Sequence, residues 1–476
     1  MRIVYIICFL LSFCIATVHA KSPESGYRIE VEFENFDGDT LLLGYYFGKA
    51  QYLKDTAVIT KGKFVFEGAD ELKPGVYLLV IPPDNKFVHV LIAEGQTKFS
   101  VAVDMDNIVS SAKFKGSSEN EIYYNYLKEL ERRRPEADSI RKKMVSDSLH
   151  KEKYKKEIEN LDAEVKKIQD DIKTKYPNSL TTFLIQANRE IETPEFAECT
   201  PEDKKLKQFE YYRAHYFDNF KLNDVRSMRS GLIHSKIDYF LQKLTYQYPD
   251  SQSVAMDYIL KSMDKNTEAF QYYLVHFLNE AAKSKRMGMD AVYVHLIDNY
   301  YAKGIATWTE KEQLDKLLTQ AESVRPTLIG KIAPELTLYK ESGEQIKIHD
   351  IVAEYTVLFF WDPECGHCKK SVPAVIEFYN QYHDKGVEIL GICTKTGQDI
   401  SSCWSTIKER GMDIWLNAAD QYLRSRYKSI YDVKTTPQVF ILDKDKKIVI
   451  KKIAGEDLKT VMDELLKAKE AKAEHK

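Results

Sequence analysis

Trp361-Asp362-Pro363-Glu364-Cys365-Gly366-His367-Cys368-Lys369-Lys370 is the stretch that decides the fold of the final third of this 476-residue chain. Tyr355–Trp361 before it reads as a strand buried on both faces, and Cys368–His383 after it has a helical period. Two thiols separated by two residues at a helix start can close a disulfide within one turn. The first sulfur then lies near unpaired amides and the positive end of the helix dipole, which favours its thiolate. His367, Lys369 and Lys370 add positive character. Cys365 therefore reads as a nucleophile, and Cys368 as the resolving thiol that releases a mixed disulfide.

Three other uses of such a pair compete. A structural zinc site needs a second ligand pair, and Cys393 and Cys403 have nine residues between them on a different loop. A purely structural disulfide seldom uses adjacent thiols at a helix start. A peroxidatic cysteine follows Pro-x-x-x-Thr-x-x-Cys, whereas Leu358 and Asp362 occupy those two positions. Redox exchange is the expectation, with no metal and no cofactor.

Outward from this run the pattern alternates. Val387–Cys393, Gln438–Leu442 and Ile448–Ile453 read as strands, and Trp404–Arg410 and Asp457–Lys469 as helices, after a boundary at Pro326 and Gly330–Pro334. Helices set between apolar strands imply an α/β sheet covered on both faces, over residues 328–476. Upstream, residues 119–325 read as helical. Between Glu119 and Tyr176, 29 of 58 residues are charged, and Tyr154, Ile158, Leu161, Val165, Ile168 and Ile172 form one apolar stripe. The stripe spans under three heptads, so it is expected to pack within its own domain rather than as a dimer zipper. Tyr176-Pro177-Asn178-Ser179 and Tyr248-Pro249-Asp250-Ser251 look like one junction used twice. The aromatic groups Phe209–Tyr216, Phe270–Phe277 and Tyr293–Tyr301 are expected in the core. Residues 27–116 hold many short alternating runs, beginning with Tyr27–Glu34, and read as a small β-sandwich with no catalytic constellation.

Composition sets the outer limits. The chain exceeds one compact domain, and 44% hydrophobic residues argue against global disorder. A net charge of −3 gives no electrostatic footprint for nucleic acid. Arg2, the apolar run Ile3–Val18 and the small residue Ala20 read as a secretory leader over residues 1–20, which places the protein in the periplasm or cell envelope. Removing it removes Cys8 and Cys14 and leaves five cysteines. Cys199 is expected unpaired and buried; Cys393 and Cys403 are expected as free thiols, with a second bridge as the alternative.

Roughly the last 150 residues resemble the thioredoxin superfamily, specifically the exported TlpA/ResA-type thiol-disulfide oxidoreductases. Trp361, Cys365, Gly366, Cys368 and Lys369 match that family's active-site run, and Pro373 its helix-kinking proline. Val433–Asp443 matches its second landmark, where a cis-proline at Pro437 faces the thiols. The resemblance implies exchange chemistry at Cys365 and Cys368, tuned by Glu364, Gly366, His367 and Lys369. It also implies client contact through Trp361, Pro363, Thr436 and Pro437. Partners would be client proteins bearing thiols or disulfides and an envelope electron donor or acceptor. Two departures matter. The buried aspartate that many thioredoxins carry six positions before the first cysteine is Phe359 here, and the ResA-type glutamate three positions after the second is Ser371. Glu364 or water is then the expected proton acceptor. The Gly-His dipeptide resembles that of protein disulfide isomerase, in which histidine stabilises the reduced thiolate. The β-rich and helical regions resemble modules that precede thioredoxin domains in exported bacterial proteins. The chain as a whole reads as multidomain: an N-terminal β-sandwich, an all-α middle and a C-terminal α/β thioredoxin-like domain. The competing functions are a scaffold using that fold for docking and a thiol peroxidase.

Overall fold

A computed structural model describes residues 26–474, so the leader reading of residues 1–20 lies outside the described residues. The chain divides into two compact units, one through Lys236 and one from Ile237.

The first unit opens with β1 (Tyr27–Glu34), β2 (Thr40–Phe47), β3 (Ala50–Val58), β4 (Phe64–Gly68), β5 (Gly75–Ile81), β6 (Lys86–Ile92) and β7 (Lys98–Asp104). A short α1 (Ile108–Ser111) leads into β8 (Lys113–Lys115). They form two four-stranded sheets, β4-β1-β7-β8 and β3-β2-β5-β6. In β1 the alternation does what the sequence asks: Tyr27, Ile29 and Val31 are buried while Arg28 and the glutamates face outward. Ile29, Val31 and Phe66 of one sheet share a core with Leu43, Leu79 and Val90 of the other, which makes a sandwich.

Two long helices follow, α2 (Ser118–Ser146) and α3 (Lys151–Lys175), packed on each other as a hairpin. Ser117 caps α2 by accepting from the Asn120 amide. The stripe from Tyr154 to Ile172 is half-buried, with no residue of α3 fully enclosed. Then come α4 (Leu180–Ala187), α5 (Pro201–His215) and α6 (Ile233–Lys243), in whose first turns the chain passes from one unit to the other. The repeated junction is not one device. Ser179 caps α4, whereas Pro249 is itself the first residue of the next helix, where its missing amide is harmless.

The second unit continues with α7 (Pro249–Lys261), α8 (Glu268–Lys283), α9 (Asp290–Leu296) and α10 (Lys311–Val324). Phe270, Tyr273 and Phe277 of α8 are core residues, as are Tyr300 and Tyr301 in the π-turn that follows α9. By contrast no residue of α5 is buried, although Tyr216 just beyond it is.

The remaining elements are β9 (Thr337–Tyr339), β10 (Gln345–Lys347), β11 (Tyr355–Trp361), α11 (Gly366–Tyr382), β12 (Val387–Cys393) and α12 (Ser401–Glu409). After them come β13 (Leu416–Ala419), α13 (Tyr427–Ile430), β14 (Gln438–Asp443), β15 (Ile448–Ile453) and α14 (Leu458–Glu474). The seven strands are ordered β10-β9-β13-β12-β11-β14-β15. β11 is central, parallel to β12 and antiparallel to β14, and all seven of its residues are buried. Phe359 and Trp361 pack under α11 with Val372 and Phe378, while Leu358 and Phe360 pack on the other face with Tyr427 and Tyr431. A sheet covered on both faces explains the unbroken apolar run.

The sequence expectation for three cysteines is corrected. Cys393 and Cys403 are joined as a disulfide between the end of β12 and α12, both fully buried. Cys199 is half-exposed rather than buried, with Lys207 Nζ 3.2 Å from its sulfur.

Candidate active site

β11 delivers the chain to the surface at Asp362, and α11 begins four residues later with Cys365 as its N-cap. The turn between is held by its own backbone and by one lysine. The Cys365 amide donates to the Asp362 carbonyl at 3.1 Å, and the Glu364 amide to Asp362 Oδ1 at 2.8 Å. Lys395, just past β12, reaches Glu364 at 2.6 Å and Asp362 at 3.6 Å. Thr394 Oγ1 donates to Asp362 Oδ2 at 3.2 Å. Ordering of this turn fixes the first cysteine against the helix start.

The two sulfurs occupy opposite environments. Cys365 is half-exposed and Cys368 buried. The Cys368 amide donates to Cys365 Sγ at 3.3 Å, and Cys365 Sγ lies 3.1 Å from the Thr436 carbonyl oxygen. Thr436–Pro437, at the corner before β14, is a cis peptide. Burial opposes ionisation of Cys365, yet hydrogen bonds from the Cys368 side chain and amide, the Thr436 side chain and the His367 amide outweigh it and hold its pKa below the ordinary thiol value. Burial, followed by the hydrogen bond with Cys365, pushes the Cys368 thiol up to about 12. A helix N-terminus therefore supports one thiolate at a time.

The other expected residues divide by depth. Glu364, Gly366, His367 and Lys369 are exposed around Cys365, and Thr436 and Pro437 are half-exposed beside it. Trp361 and Pro363 are buried beneath the site. Glu364 is exposed and paired with Lys395. Two supporting residues went unread in the sequence, Lys395 and Glu456. Ser371, one turn after Cys368 and buried, donates to Glu456 at 2.9 Å from the loop before α14. A carboxylate thus reaches the helix position where the sequence has serine. No local signal marks Lys395 or Glu456, because each meets its partner only through the fold.

A seven-stranded mixed sheet, a helix-opening Cys-x-x-Cys pair and a cis-proline corner facing it define a thioredoxin-like thiol-disulfide oxidoreductase domain. Comparison with known proteins agrees. The AhpC/TSA family model matches residues 329–451, and two domains of unknown function, DUF4369 and DUF5106, match residues 27–123 and 148–323. The thiol-disulfide oxidoreductase ResA of Bacillus anthracis is 30% identical over 139 residues, covering 29% of this chain and 77% of that protein. ResA of Bacillus subtilis (strain 168) is 27% identical over 122 residues, covering 25% of this chain and 64% of that one. A solved domain of a possible thiol-disulfide isomerase from Cytophaga hutchinsonii is 30% identical, covers 31% of this chain and 97% of its own, and has a TM-score of 0.29. The chain belongs to the TlpA/ResA-type thiol-disulfide oxidoreductases of the thioredoxin superfamily. By that membership it is an oxidoreductase, and its partners in general are proteins bearing thiols or disulfides.

Proposed function

We propose that the protein exchanges disulfides with exported client proteins, with Cys365 as the attacking sulfur and Cys368 as the resolving one. The observation that carries this is the contrast between the thiols: one accessible and acidic, the other buried and held protonated. In the reducing direction, the Cys365 thiolate attacks one sulfur of a client disulfide, forming a mixed disulfide and expelling a client thiolate. Cys368 then gives up its proton and attacks Cys365. The internal disulfide forms, the second client thiolate leaves, and two electrons have passed to the client. The oxidising direction is the reverse, and an envelope donor or acceptor sets which one runs. Thr436 and Pro437 present backbone to an extended client segment as an edge strand does. Trp361 and Pro363 back the site from beneath, while Gly366, His367, Glu364 and Lys369 tune the thiolate at its rim. No cofactor is required. The reading places the enzyme in the periplasm or cell envelope after loss of residues 1–20. Among the described residues no helix is long and apolar enough to cross a membrane. It divides the mature chain into 27–116, 119–325 and 328–476, the first two positioning the redox domain or selecting its clients.

Removing the resolver tests the assignment. Cys368→Ala, expressed with its leader and acid-quenched in cells, should show higher-mass adducts on non-reducing gels that collapse with reductant. They should vanish when Cys365→Ala is added. Adducts that survive the second change would move the reactive sulfur to Cys199 or to the Cys393–Cys403 bridge.

A further inference from the structure

Within the second unit, the thiol face shares a cleft with the helical segment that precedes it. The turn from α8 into α9, with Thr435, Pro437 and Gln438 of the cis-proline corner, lines a cavity of about 1190 Å³. That exceeds the roughly 300–1,000 Å³ of small-molecule sites and suits a stretch of polypeptide. His367 and Pro437 belong to both the thiol site and this cleft, so an occupant lies within reach of Cys365.

The helical wall is pinned to the sheet. Lys451 of β15 is 3% exposed, donates to the Thr327 carbonyl at 2.7 Å and pairs with Asp290 at the start of α9. An ammonium withdrawn from water is tolerated only when paired and hydrogen-bonded, so the contact joins the two walls.

The charges in the cleft do not cancel. Asp290 is taken by Lys451, and Asp432 is shared by Lys434 at 2.9 Å and Lys452 at 3.2 Å. Lys285, Arg286 and Lys370 line the cleft with no carboxylate in ion-pair range among the described residues, and the side-chain partner of Arg286 is the neutral Gln247. Glu456, bonded to Ser371, and Asp457 are the remaining acids.

We propose that this cleft receives an extended client segment carrying acidic side chains beside its reactive cysteine. The helical segment is then part of client selection and not a spacer. The proposal rests on the exchange chemistry assigned to Cys365 and adds the class of client. Cations on both walls steer such a segment toward the thiol and hold its register, and the effect is screened by salt.

The test uses the reduced full-length protein in a Cys199→Ser background and two short peptides, each closed by one disulfide and differing only in glutamate or lysine beside the cysteine. Rates of peptide reduction are divided by the same protein's rate with the uncharged dithiodipyridine. The glutamate peptide should react about tenfold faster at low salt, with the ratio falling toward one in 1 M salt. The charge reversals Lys285→Glu and Arg286→Glu together should invert the ratio. Equal rates for both peptides, or a glutamate preference unchanged in the double variant, would overturn the acidic client while leaving the redox chemistry in place. Silence toward both peptides and dithiodipyridine would overturn the redox reading, and this proposal with it.

Discussion

Cys365 and Cys368 are three positions apart and burial opposes ionisation of both, yet the hydrogen bond between them drives their acidities in opposite directions. Donors converge on Cys365, and the buried partner keeps its proton to supply one of the hydrogen bonds. Reactivity with pH should report this. In a Cys199→Ser background, the alkylation rate of reduced protein should rise to its midpoint below the ordinary thiol value of 9.0, because Cys365 is still thiolate there. Cys368→Ala removes a donor to that sulfur, so the midpoint should climb. A wild-type midpoint at or above 9.0, or the same midpoint in both proteins, would defeat the argument. The residues of this chemistry were legible because they are written contiguously: a thiol pair after a buried strand, and a Thr-Pro corner before another. The supports were not. Lys395 meets Glu364 across 31 positions and Ser371 meets Glu456 across 85, and no periodicity connects such pairs.

Elements show the same division between local and non-local signals. β11 was legible because burial on both faces leaves an apolar run, and β1 because burial on one face leaves an alternation. β3 left no such trace. As an edge strand it buries only Ala57, and Tyr52 and Leu53 face solvent at 46% and 62% exposure. The three-residue β9 and β10 are too short to carry a period. The Cys393–Cys403 bridge lies at the same level, since its spacing alone permits either free thiols or a pair. It ties the end of β12 to α12 across a sequence separation of 10. By the loop-closure relation such a link stabilises by about 2–3 kcal/mol. Replacing both cysteines by alanine should lower the unfolding free energy of the second unit, read from urea denaturation, by that amount, with the Cys365 alkylation midpoint unmoved. Unchanged stability would mean the bridge is not formed in solution.

At the scale of the whole molecule, the first unit carries its own core and its own helical hairpin, and the redox pair belongs to the second. The charged surface of α2 and α3 raised a separate possibility, that their apolar stripe joins two chains. The structure gives the stripe a partner inside the same unit: α3 lies along α2, with Gln169 bonded to the Tyr126 hydroxyl at 3.0 Å and Arg133 paired with Glu164 at 3.3 Å. Its residues are half-buried, as expected for a seam between two helices under water on their outer faces. A leucine in that setting contributes roughly half of the 1.5–3 kcal/mol of full burial. Leu161→Glu should therefore cost about 1 kcal/mol, visible as earlier unfolding of the first unit. The molecular mass by light scattering should match that of the wild type, and dithiodipyridine reactivity should be retained. A dimeric wild type that becomes a folded monomer on this one change would show instead that the stripe is the contact between chains, with α2 covering only its margin.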